Sequence, residues 1–169
     1  MTPLSSNAAS FGITTLVFLH NSAGELLLLK RRKAPNQGLW SPIGGKLWTQ
    51  LGESPLECAL RETREETGFQ LSAQSVRLFA MVAEKNYQGC GHWLMFLFYG
   101  REPLPHLPPP CEEGEFAFFP RDHIPQLDIP TTDRTFIWSL YDRYRLDHFV
   151  SVSAYFEDEG TLHHQIDAE

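Results

Sequence analysis

Glu62, Glu65 and Glu66 lie three and four residues apart in the run Arg61-Glu62-Thr63-Arg64-Glu65-Glu66-Thr67-Gly68. At 3.6 residues per turn, that spacing puts all three carboxylates on one face of a helix. Like charges so placed destabilise a helix by about 0.2–0.5 kcal/mol per pair, so something positive should compensate. Glu57 and Glu65 each stand four residues from Arg61 and can pair with it, which leaves Glu62 and Glu66 without a local partner. Hard divalent cations prefer carboxylate and carbonyl oxygens, and Mg²⁺ characteristically shares one or two carboxylates with substrate phosphates. The competing reading is a solvated Glu/Arg face, the commoner meaning of such a pattern taken alone.

The elements around this run favour a built site. Ser54-Pro55-Leu56-Glu57 combines a capping box with proline at the first helical position, and Gly68 follows the last turn, which predicts a helix over 55–67. Leu56, Leu60, Thr63 and Thr67 form a neighbouring face that can pack on a sheet and hold the carboxylates at its border. Upstream, Phe11 to His20 and Glu25 to Arg32 are strand-like runs around Asn21-Ser22-Ala23-Gly24, a turn composition that predicts a hairpin. A third run, Leu39 to Ile43, ends in Gly44-Gly45, where bare backbone can turn sharply or approach a ligand. Val76 to Ala83 and His92 to Tyr99 are further strands bracketing a loop at Asn86 to Gly91. Pro103 to Pro110, with five prolines in eight positions, is a stiff loop expected at the rim of the site. Phe116 to Phe119 is a short strand, and Thr131 to Arg145 a second amphipathic helix with Phe136, Leu140 and Tyr144 on one face. The tail suggests two last strands. Strands and helices mixed without regular βαβ alternation predict an α+β fold of sheet and helices.

Gly45, Glu53 and Arg61-Glu62-Thr63-Arg64-Glu65-Glu66-Thr67-Gly68-Phe69 together resemble the Nudix box, a glycine, a spaced glutamate, then REUxEExGU with U apolar. Seven residues separate Glu53 from Arg61, as in that pattern; seven also separate Gly45 from Glu53, where the pattern has five, and Thr63 stands in place of the aliphatic residue. The two extra residues read as a longer loop before the helix. The resemblance implies a Nudix-like α/β/α sandwich with a mixed central sheet, and hydrolysis of a diphosphate linkage with Mg²⁺, or Mn²⁺, as cofactor. It implies that Glu62, Glu65 and Glu66 bind the metal, with the Gly45 carbonyl as a further ligand. Arg61 would orient the carboxylates, Glu53 would brace the loop, and Gly44 would allow the tight backbone. A further acid from a later loop joins the metals or acts as base in many members; Glu113 is the choice here, ahead of Glu112 and Glu115.

Beyond the box, Lys30-Arg31, Gly38-Leu39-Trp40, Gly44-Gly45-Lys46, Glu113 to Phe119, Asp133-Arg134-Thr135-Phe136 and Tyr155 to Asp167 are similar to the 8-oxo-dGTP diphosphatase branch, which sanitises oxidised nucleotides. That similarity implies substrate contacts from Arg31, Trp40, Ser41, Gly44, Lys46 and Asp133. Ser41 stands where the human-type enzyme has asparagine, and Thr131-Thr132 where it has paired aspartates. Trp40 can equally be a core aromatic, and Asp133 a helix N-cap. Tyr87 lies at the offset of a tyrosine found in dinucleoside-polyphosphate hydrolases, so dinucleoside polyphosphates, ADP-ribose and nucleotide sugars stay open as substrates. A non-catalytic nucleotide-binding module is the alternative of another class, and the intact glutamate set speaks against it.

Composition bounds the rest. A chain of 169 residues has the length of one domain, read here as a single domain over 1–169 with a flexible segment at 1–10. A net charge of −7 disfavours a nucleic-acid polymer as partner, since polyanion binding rests on many Lys and Arg contacts. The cluster Lys30, Arg31, Arg32 and Lys33 suits a small phosphorylated nucleotide instead. No run has the length of a membrane span and no signal peptide is evident, so a cytoplasmic location away from membranes is expected. Cys58, Cys90 and Cys111 form no CxxC pair, and the scattered seven histidines lack zinc-ligand spacing. Both a monomer and a homodimer are compatible with these features.

Overall fold

The computed structural model describes residues 11–87, 91–157 and 160–169. The segment expected to be flexible, 1–10, and Cys90 lie outside them. Strand β1 (Phe11–Phe18) leads through the expected turn, in which Gly24 N–H donates to the Asn21 carbonyl at 3.0 Å, into β2 (Leu26–Arg31). The simple hairpin is overturned beyond that turn. Leu27 N–H still donates to the Leu19 carbonyl at 2.9 Å, but the two strands then part into different sheets. A strand apolar on both faces needs cover on both. In β2, Leu26 and Leu28 enter one core cluster while Leu27 and Leu29 enter the other, and parting from β1 supplies both covers.

The larger sheet has the order β1-β5-β4-β7-β8, with β4 (Val76–Lys85), β5 (His92–Gly100), β7 (Val150–Phe156) and β8 (Leu162–Ala168). It is mixed: β1 with β5 and β4 with β7 are parallel, whereas β4 with β5 and β7 with β8 are antiparallel. The smaller sheet pairs β2 antiparallel with β3 (Trp40–Ser41) and β6 (Gly114–Phe119). Helix α1 (Pro55–Thr67) packs Ala59, Leu56 and Leu60 with Val17, Leu19 and Ile43. Helix α2 (Trp138–Tyr144) packs Trp138, Leu140 and Tyr141 with Phe18, Phe79, Leu97 and Val152. The two helices cover separate cores, so the α+β chain is the α/β/α sandwich the resemblance implied. Among the described residues no helix is long and apolar enough to cross a membrane.

Both helices obey local rules to different degrees. In α1 the Ser54 hydroxyl accepts from Glu57 N–H at 3.2 Å, the Glu57 carboxylate accepts from Ser54 N–H at 2.8 Å, and Gly68 closes the helix at φ 78°. The second helical segment is not uniform as expected. Asp133–Ile137 is π-helical before α2 begins, although Phe136, Leu140 and Tyr144 are all buried as their spacing predicts. A π turn holds one extra residue and re-aims the side chains at its start, an arrangement frequent at functional sites.

Candidate active site

The site begins where the loop after β3 joins the edge of β1. Val17 N–H donates to the Ile43 carbonyl at 2.8 Å, Thr15 N–H to Gly45 at 2.9 Å, and Leu47 N–H to Ile13 at 3.0 Å. This approach is close enough to require glycine at position 44. Gly44 has φ 151°, and a Cβ there would run into the Thr15 carbonyl; a Cβ on Gly45 would run into the Glu62 carboxylate. The loop is thereby brought against the carboxylate face of α1, where Gly44 N–H donates to Glu66 Oε2 at 3.2 Å. The Gly45 carbonyl, implied as a metal ligand, already accepts from Thr15 N–H and from the Thr14 hydroxyl at 2.8 Å. In this conformation its lone pairs serve the β1 edge.

Arg61 organises the carboxylates. Its Nε and Nη2 donate to the two oxygens of Glu53 at 2.6 and 3.0 Å, and Nη1 donates to Glu62 at 2.6 Å and Glu65 at 3.0 Å. Nη2 also reaches the Lys46 carbonyl at 3.1 Å, and the guanidinium stacks 4.0 Å from the Trp48 ring. Glu53 accepts Trp48 N–H at 2.8 Å, so it anchors the longer loop as well as Arg61. The bidentate bond from Arg61 holds the Glu53 carboxyl below the usual range.

Glu62 and Glu66 have the opposite tendency. Burial pushes Glu62 upward despite Arg61. Glu66 is 7% exposed, and burial together with the Glu62 charge lifts its carboxyl to about 8, opposed by the Gly44 N–H and the Arg31 charge. Two dehydrated carboxylates with one arginine shared among three partners are under-compensated, and a hard divalent cation is the group that relieves them. Among the described residues no three His, Cys, Asp or Glu side chains are grouped closely enough to hold a metal ion. Glu62, Glu65, Glu66 and Glu113 instead line one open cavity.

That cavity measures about 620 Å³, within the range of small-molecule sites. It brings together most residues singled out from sequence: Arg31, Ser41, Gly44, Gly45, Lys46, Glu62, Glu65, Glu66, Glu113 and Asp133. Glu113, delivered by the end of the proline-rich loop, is held by Lys33 at 3.0 Å and lies 3.9 Å from Arg31. Lys46 places its ammonium 5.1 Å over the Trp93 ring. Arg61 and Glu53 stand behind the carboxylates and outside the lining. Trp40 is a correction. Side chains alternate along β3, so with Ser41 toward the cavity Trp40 turns away and packs edge-on against Phe119 at 4.9 Å. Asp133 is likewise no N-cap. It lies within the π turn, is 6% exposed, and burial beside Glu84 raises its carboxyl to about 7.

Glu84 and Trp93 line the cavity and were not singled out from sequence. Glu84 had a legible signal, since Ala80, Val82 and Glu84 follow one another at the strand period of two and all face inward. The strand predicted to end at Ala83 runs two residues further, to Lys85, and carries the glutamate into the interior.

The NUDIX domain family model matches residues 10–144. A Bacillus subtilis (strain 168) protein, the uncharacterized Nudix hydrolase YvcI, is 28% identical over 110 residues, covering 64% of this chain and 66% of that protein. The chain thus spans just under two thirds of the length of that curated relative. Among solved structures, a MutT protein from Bacillus halodurans superposes with a TM-score of 0.69 at 23% identity, covering 94% of this chain and 99% of that one. The NUDIX domain of Shewanella oneidensis NrtR, solved with ADP ribose, gives 0.69's near neighbour of 0.67 at 15% identity, covering 82% and 91%. These structural likenesses establish the fold, and the matched model takes in the glycine pair, the capped helix and the glutamates Arg61 holds. The chain belongs to the Nudix family.

Proposed function

We propose that this protein is a metal-dependent hydrolase of a diphosphate linkage in a nucleoside triphosphate or related nucleotide, with oxidised nucleotides among the candidate substrates. The observation that carries this reading is one cavity lined by three glutamates of a rigidly capped helix and by the cations Arg31 and Lys46. Glu62, Glu65 and Glu66 are the residues that would hold Mg²⁺, or Mn²⁺, with Glu113 close by. When bound, such an ion neutralises phosphate oxygens and supplies Lewis acidity at the diphosphate.

The chain's own groups do the rest. Arg31 and Lys46 place positive charge where a phosphate chain would lie, and Arg61 keeps the carboxylates aligned from behind. Water attacks one phosphorus, the bridging P–O bond breaks, and the freed phosphate departs with the bond's electron pair. A carboxylate takes the proton of the attacking water; Glu65 and Glu113, the more exposed acids of the set, are the candidates. No covalent intermediate is required.

The test is phosphate and pyrophosphate release across canonical and oxidised nucleoside triphosphates, diadenosine polyphosphates, ADP-ribose and nucleotide sugars. Each is assayed with Mg²⁺, with Mn²⁺ and with chelator, and with Glu66→Gln as control. Metal-dependent release lost in the variant is the expected result. Preference for a dinucleotide or a sugar nucleotide moves the substrate assignment, and binding without release across the whole panel replaces the hydrolase by a binding module.

A further inference from the structure

The cavity contains a second acidic group that the proposed hydrolysis does not use. Glu84, 2% exposed on β4, accepts a hydrogen bond from the Thr132 hydroxyl. Asp133 lines the same cavity, and its Oδ2 has no hydrogen-bond partner among the described residues. Each carboxyl is dehydrated, the two repel each other, and among the described residues no cation offsets either charge. Burying acidic groups this way is costly unless hydrogen-bond donors reach them. The neighbouring walls are Leu16, Tyr87, Trp93 and Met95, apolar and aromatic surface suited to a planar ring.

We propose that Glu84 and Asp133 read the donor edge of the substrate's heterocycle, selecting a ring that places a lactam N–H beside an exocyclic amine. This rests on the reading of the cavity as a nucleotide site and adds the base class to it. Near neutrality the pair is partly protonated, because burial lifts both groups to about 7. Even so it remains richer in acceptors than in donors. A guanine or pterin edge offers two adjacent donors to those acceptors. An adenine edge sets a ring-nitrogen acceptor beside its amine, and a uracil edge has one donor between two carbonyls. Oxidation of guanine at C8 leaves the donor edge intact, so guanine and 8-oxoguanine are both accommodated.

The test compares GTP with ITP, which differ only in the exocyclic amine, together with ATP and UTP, using full-length protein and Mg²⁺. The expected result is kcat/KM for GTP at least about tenfold above ITP, since an unmet buried acceptor discriminates strongly. Glu84→Gln and Asp133→Asn bring that ratio toward one, with circular dichroism confirming that they fold. Equal turnover of GTP and ITP by the wild type, or a preference for ATP or UTP, overturns the edge reading and leaves the hydrolase reading standing. If no triphosphate is cleaved, calorimetric binding of GMP against IMP decides. Tighter GMP binding upholds the edge reading, while equal or absent binding overturns it. Dihydroneopterin triphosphate assayed beside GTP separates a pterin from a purine source of the same edge.

Discussion

Arg61 is the residue on which the geometry of the carboxylates depends, and its replacement by methionine has a calculable consequence. The substitution keeps an aliphatic stem near Trp48 but removes the positive charge shared by Glu53, Glu62 and Glu65. Glu65, with 44% of its side chain exposed, is screened by water and adds little. Glu53 and Glu62, at 8% and 14%, are left as buried charges without a partner. Breaking a buried pair from one side destabilises by about 3–5 kcal/mol. For a domain of this length, each kcal/mol moves Tm by roughly 2–4 °C, so a fall of about 6–20 °C is expected. The pH dependence has a definite sign. The Glu53 carboxyl is depressed by Arg61, so the stability from that pair is present above the ordinary carboxylate range and lost as pH falls through its lowered value. Thermal unfolding followed by circular dichroism in chelator should show the gap between wild type and Arg61→Met narrowing in acid. Adding Glu53→Gln to Arg61→Met should recover part of the loss, because it removes the stranded charge. A fall in Tm below about 2 °C at neutral pH, the size expected of an exposed pair, would refute the view that Arg61 anchors buried carboxylates.

Gly44→Ala forces a side chain into a backbone carbonyl at φ 151°, and urea unfolding should register a loss of about 1–3 kcal/mol or more. Gly52→Ala, at φ 68° with nothing within 4 Å of the added carbon, should lose only about 1–2 kcal/mol from backbone strain; equal losses would discount the close approach at Gly44. Glu66→Gln retains an oxygen that can accept Gly44 N–H, so it should stay folded while losing most hydrolysis and calorimetric Mg²⁺ affinity. His163→Ala, whose imidazole lies 3.1 Å from Glu157 on an exposed strand, should change neither; equal effects of the two would break the site assignment. Glu84 has its folded carboxyl raised to about 7, so its contribution to stability is present below about 4.5 and lost as pH rises through 7. Glu84→Gln should flatten that part of the pH–stability curve, and a slope unchanged from wild type would mean that Glu84 does not titrate there.

Short-range features were readable because their causes lie within a few residues. The capping box, Pro55 and Gly68 bound α1 where expected, since each satisfies or replaces orphan backbone groups of its own helix. The longer loop between Gly45 and Glu53 still returns Glu53 to Arg61, because one bidentate bond and the Trp48 amide hold it whatever the length of the intervening chain. The course of β2 was less legible. Its unbroken Leu26-Leu27-Leu28-Leu29 run signals cover on both faces, but which strands provide it depends on pairings with β3 and β6 far along the chain. Trp40 shows the same limit: a strand's alternation says that Trp40 and Ser41 face opposite ways, and only the packing of Phe119 decides which of them meets the cavity.

From the chain alone came the carboxylate face of α1, the arginine beside it and the two glycines before it, because helix periodicity and backbone sterics are local and act at fixed spacing. Tertiary structure alone decided that Glu66 is buried against Gly44 and that Glu84 and Asp133 line one cavity, joining positions 22 and 49 residues apart. The electrostatic character of a carboxyl depends on the water it loses and the charges it meets, and both are supplied by residues distant in sequence.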